Sequence, residues 1–139
     1  MISLRKMCQL ILTISFYMNG DWWSVRWTDP TDPILVDRTN VLTCAVTDPQ
    51  TMTIYLSNKL RGEFLNRVLI HELSHCVMYS YRLIDSIHRM CKRKYWIDME
   101  EFCANLLANY GNQVFGLTYS ILGDEAIHIV PYELERLVA

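Results

Sequence analysis

The sequence predicts an α+β fold in one domain, residues 1–139: a small antiparallel β-sheet packed on one long helix, followed by a second helix. Two patterns carry this expectation. Over roughly the first sixty positions, apolar residues alternate in short runs separated by Asn, Asp, Gly and Pro, which is the period of half-buried strands. From about Glu63 to Tyr81, and again from Ile97 to Tyr110, they recur at helical spacing. A chain of 139 residues that is 51% hydrophobic can bury one core and leaves no room for a second domain.

The N-terminus imitates a secretory leader, with Arg5-Lys6 ahead of the apolar stretch Met7 to Met18. Gln9 interrupts that stretch, no small-x-small cleavage site follows it, and it is too short to span a bilayer. A strand explains it better: Leu10, Leu12, Ile14, Phe16 and Met18 alternate, Asn19-Gly20 is a hairpin turn, and Trp23, Val25 and Trp27 alternate on the return. Trp22, Trp23 and Trp27 are then expected mainly to pack. Asp29-Pro30-Thr31-Asp32-Pro33 reads as a turn, and Val46-Thr47-Asp48-Pro49-Gln50 ends a later strand. From Thr51 to Ser57, Met52, Ile54 and Leu56 alternate with Thr51, Thr53, Tyr55 and Ser57, again a strand.

Arg61-Gly62 marks a break, and the following helix has no Gly or Pro as far as Tyr81. Ser57 or Asn58 is a candidate cap for an earlier turn. Leu65, Leu69, Leu73, Cys76, Val77 and Ser80 form one stripe, and His71 and His75 lie off its centre, free to face a cleft. His71-Glu72-Leu73-Ser74-His75 is an HExxH motif. Imidazoles at i and i+4 sit one above the other on a helix, so both can face one Zn²⁺, with the intervening glutamate beside a metal-activated water as general base. The bland alternative is two histidines decorating a core helix.

Hydrolysis at zinc needs a third protein ligand and one open position. No histidine follows within Cys76 to Arg82, but a carboxylate on the next helix can serve. Glu101, Ala104, Asn105 and Ala108 fall at i, i+3, i+4 and i+7, a face with one carboxylate and two residues small enough for close helix packing. Glu100 belongs to a neighbouring face and is expected to meet solvent or act as minor support. Residues 82–96 carry Arg89, Lys92, Arg93 and Lys94, read as a solvated face, and His88 reaches the metal only if this segment folds back. Past Tyr110-Gly111 the chain is expected to loosen through Gly116 and Gly123, before Pro131 opens a short terminal helix.

A net charge of −2 predicts no general nucleic-acid affinity. Five cysteines, Cys8, Cys44, Cys76, Cys91 and Cys103, are odd in number and form no CxxC pair, which argues for a reducing cytoplasm over a disulfide framework. Cys76 and Cys103 are expected to act as small buried hydrophobes. No feature of the sequence sets the oligomeric state.

His-Glu-Leu-Ser-His-Cys at residues 71–76, with Glu101-Phe-Cys-Ala104-Asn105 downstream and the segments Val41 to Ser57 and Arg67 to His71 upstream, resembles the ImmA/IrrE-type small gluzincins (minigluzincins), particularly the compact forms encoded by phages and prophages. The resemblance runs from about Asp21 to Gly116. It implies a zincin-like fold and a zinc metallopeptidase whose Zn²⁺ is held by His71, His75 and Glu101, with Glu72 as general base. It further implies that Asn105 supports a zinc histidine through a hydrogen bond, and that an edge strand above the cleft pairs with an extended peptide. The expected partner is a peptide or protein substrate, a regulatory protein among the candidates, in the cytoplasm of a bacterial host, with neither nucleic acid nor membrane involved. Tyr79, Tyr119, His128 and Tyr132 are candidate donors to the reaction's oxyanion. The competing class is a non-enzymatic, zinc-stabilised interaction module.

Overall fold

The computed structural model describes residues 13–127 as an α+β fold, a four-stranded sheet and three α-helices. Strands β1 (Ile14–Met18) and β2 (Asp21–Thr28) form an antiparallel hairpin. Its turn has positive φ at both Asn19 (46°) and Gly20 (92°), the backbone that Asn-Gly adopts at low cost and that matches strand twist. Strands β3 (Ala45–Asp48) and β4 (Thr53–Ser57) form a second antiparallel hairpin. The sheet order is β1-β2-β4-β3.

The sheet is mixed, not antiparallel throughout as expected, because β2 pairs with β4 in parallel. The cause lies in residues 29–44. This connection leaves the end of β2 and starts β3 at that same end, so β3 descends and β4 returns upward between β3 and β2. A short 3-10 turn, Pro33–Leu35, shapes the connection, with the Asp32 carboxylate accepting from the Ile34 N–H.

The alternation of β2 turns Trp23 and Val25 to the core and leaves Trp22 and Arg26 exposed. They meet Ala45, Ile54 and Leu56 from the second hairpin and Leu65, Val68, Leu69, Leu73 and Cys76 from helix α1 (Gly62–Ser80). Phe16 and Met18 pack on this core, Ile14 is exposed, and Leu10 and Leu12 lie outside the described residues. Trp23 is fully buried, and its indole N–H donates to Ser80 Oγ at 2.8 Å. Trp23→Ala should therefore cost about 3–5 kcal/mol, the sum of a cavity and an orphaned hydroxyl, measurable by urea unfolding.

Helix α1 starts after Arg61 without a side-chain cap, and Ser57 caps the turn before it, its Oγ accepting from the Lys59 N–H and its carbonyl from the Leu60 N–H. Helix α2 (Leu83–Met90) folds back, and its Ile87 joins Met78 of α1 and Ala104 of helix α3 (Trp96–Leu122) in a second cluster. Helix α3 does not loosen after Tyr110. It passes through Gly111 and Gly116 and ends at Leu122, since one glycine costs a helix only about 1 kcal/mol, a penalty small enough for a long helix to absorb. Pro131 and its expected helix lie outside the described residues. Arg89, Lys92, Arg93 and Lys94 are exposed. Among the described residues no helix is long and apolar enough to cross a membrane.

Candidate metal centre

Helices α1 and α3 pack closely because α3 presents Ala104 and Ala108, both buried, where larger side chains would hold the backbones apart. The i, i+4 pair on α1 is thereby brought against the carboxylate of α3. His71 Nε2 lies 3.1 Å from Glu101 Oε2, His75 Nε2 lies 3.2 Å from Glu101 Oε1, and the two Nε2 atoms are 3.1 Å apart. A tetrahedral centre with bonds of about 2.0–2.1 Å spaces its donors about 3.3–3.4 Å apart, so these three groups fit one small divalent cation. Among the described residues they are the group of three or more His, Cys, Asp or Glu side chains near enough to share a metal.

The three face an open cleft of about 720 Å³ between β3 and the connection before it on one side and α1 and α3 on the other. Asn105, one turn beyond Glu101, accepts from His71 Nδ1 at 2.9 Å, which places the proton on Nδ1 and leaves the Nε2 lone pair for a ligand. Glu72 is buried beside the histidines, and its Oε2 accepts from Thr47 Oγ1 on β3 at 2.5 Å. Thr47 thus couples the edge strand to the glutamate of the motif.

Burial disfavours a proton on His71. The Glu101 bond, the charges of Glu72 and Glu101, and the Asn105 bond together outweigh it and raise the pKa above the usual histidine value. Bonds from His71 and His75 hold the Glu101 carboxyl far below the usual carboxylate range. In the metal-free protein the raised His71 value contributes stability below about pH 6.5 that is lost as pH rises through the folded value. The depressed Glu101 value contributes stability above about pH 4.3 that is lost as pH falls through its own folded value. A metal must displace the His71 proton. Zinc affinity should accordingly fall as pH drops from 8 to 6, by up to about tenfold per unit below the His71 pKa, in chelator-competition titrations. Affinity independent of pH would exclude His71 as a ligand.

Burial pushes the Cys76 thiol up to about 12, so it stays a neutral packing group. Cys103 is half-buried in the second cluster, and Cys44, Cys76, Cys91 and Cys103 are all free thiols. Of the candidate oxyanion donors, Tyr79 lines the cleft, and burial raises its pKa, keeping it a donor. Tyr119 stands exposed near the far end of α3, eighteen positions or about 27 Å beyond Glu101. His128 and Tyr132 lie outside the described residues.

Glu100 is neither solvent-facing nor minor. It is 1% exposed, bonded by the Arg38 guanidinium and lying 2.6 Å from His88 Nε2. The fold-back of α2 brings His88 to Glu100 and not to the metal cluster, with its ring stacked on Trp96 at 4.0 Å. Arg38, also 3.8 Å from Glu101 Oε1, lines the cleft from the β2–β3 connection. Sequence reasoning missed Arg38 and Thr47, which stand far from the motif, Arg38 in an irregular connection and Thr47 within a strand that nothing local ties to Glu72. Comparisons with protein-family models, with curated proteins and with solved structures find no match to this chain.

Proposed function

We propose that the chain is a zinc-dependent metallopeptidase with a zincin-like fold, of the ImmA/IrrE type that its motifs resemble. The observation that carries the reading is a buried carboxylate, Glu72, fastened by Thr47 beside a His71, His75 and Glu101 triad that opens to a cleft. A structural zinc site needs ligands alone and has no use for such a carboxylate. Zn²⁺, when bound, supplies a Lewis acid and lowers the pKa of a water to near 7.

The chain's own groups do the rest. Thr47 occupies Glu72 Oε2 and orients the carboxylate, which takes a proton from the attacking water and passes it to the leaving amine. Asn105 fixes the His71 tautomer, and Tyr79 and Arg38 are cleft-lining donors for the anionic oxygen that develops on the carbonyl. Of the two hairpin strands, β3 rather than β4 lies at the sheet edge, and all four of its residues line the cleft, so it is the strand on which an extended peptide would pair. A peptide or protein, with a regulatory protein of a bacterial host as one candidate, is the substrate of this reading, and the cytoplasm its compartment.

The test compares new protein N-termini in bacterial cells expressing wild type and Glu72→Gln. Cuts that appear with wild type alone support a peptidase. A cellular effect fully retained by Glu72→Gln, with no cuts in either strain, favours the zinc-stabilised interaction module instead.

A further inference from the structure

Helix α3 continues well past the candidate metal centre, and its continuation is unlike an ordinary surface helix. No charged residue occurs between Glu101 and Asp124. Phe102, Leu106, Tyr110, Val114, Leu117 and Ile121 are each more than half exposed. Their spacings of four, four, four, three and four keep them within a sector of about 120° on a helix, a ridge about 28 Å long. A surface helix normally turns charged residues to water and buries its apolar stripe; here the stripe with Ala104, Ala108 and Gly111 is buried and a second apolar stripe faces outward.

We propose that this outward ridge of α3 is a homodimer interface, in which two copies of the chain pack α3 against α3. The six side chains present roughly 650 Å² per copy, above the usual largest apolar patch of a monomer and most of the ~800 Å² that each partner of a standard interface buries. Flanking residues of the same helix supply the remainder. The absence of charge selects the occupant. A dissimilar protein partner is steered and oriented by complementary charges at the rim, and this ridge offers none to complement. Two such ridges can be laid together without like-charge repulsion, and spacings of three and four are those at which side chains of paired helices interdigitate. A membrane-crossing role is not open to α3, which is not apolar enough for one. The proposal does not depend on the catalytic reading.

The test is sedimentation equilibrium of the full zinc-loaded chain between about 1 and 100 μM. The expected mass is twice the 16.4 kDa of the chain, and Leu117→Glu with Ile121→Glu should weaken dimerisation by more than about tenfold while far-UV helicity and bound zinc are kept. Because that variant can unfold, hydrogen exchange of the wild type is followed in parallel. Amide protection over residues 106–121 should rise with protein concentration. A monomer across the whole range, a dimer unaffected by the folded double variant, or protection independent of concentration would each overturn the proposal. The last of these, seen in a monomer, would assign the face to residues of the same chain.

Discussion

Glu72→Gln should keep its zinc and lose about 10²–10⁴-fold in peptide hydrolysis, the range contributed by one well-placed general base. Glutamine is isosteric, and its amide can still meet Thr47, so fold and cleft should persist. It has no basic oxygen to accept the proton of the attacking water. Glu72 is absent from the triad of donors, and zinc stoichiometry by elemental analysis should therefore match wild type. Loss of zinc in this variant would place Glu72 among the ligands and leave the proton acceptor unassigned.

The second large effect separates adjacent carboxylates. Glu101→Ala removes one of three candidate donors and should weaken zinc binding by more than about a hundredfold while leaving a folded protein, because Glu101 is partly exposed and its partners, His71 and His75, line the same open cleft. Glu100→Ala should do the reverse. Removing a buried carboxylate strands the Arg38 guanidinium and the His88 imidazole, and breaking such a buried pair costs about 3–5 kcal/mol, reduced towards about 3 by the partial exposure of Arg38. Thermal unfolding of the two metal-free variants beside wild type distinguishes the roles. If Glu101→Ala unfolds the protein and Glu100→Ala releases the zinc, the assignment is inverted.

What could be read in the sequence, and what could not, follows from the range of the interactions. His71 and His75 are joined by one turn of helix, with Glu72 on the flank beside them, and Glu101, Ala104, Asn105 and Ala108 by two turns, so helical geometry alone puts the two histidines on one face and the second set on another. The Asn19-Gly20 hairpin was equally local. The parallel pairing of β2 with β4 was not, since it depends on the path of a sixteen-residue connection whose turns specify no direction. Thr47 meets Glu72 across 25 positions and Arg38 meets Glu100 across 62. Nothing in the immediate sequence of either residue announces those meetings. Glu100 differs from expectation for the same reason: its partners reach it only through the fold, Arg38 from the β2–β3 connection and His88 from α2. The glycines past Tyr110 predict a loosening chain, although a long helix tolerates Gly111 and Gly116.

Zinc K-edge X-ray absorption on the zinc-loaded chain tests the central claim most directly. Two imidazoles with carboxylate and water oxygen give only nitrogen and oxygen scatterers at about 2.0–2.2 Å, with the multiple scattering of two rings, and this signature should collapse in His71→Ala and His75→Ala. A sulfur shell at about 2.3 Å, the bond length of a cysteine ligand, or a spectrum unchanged by both substitutions would contradict it.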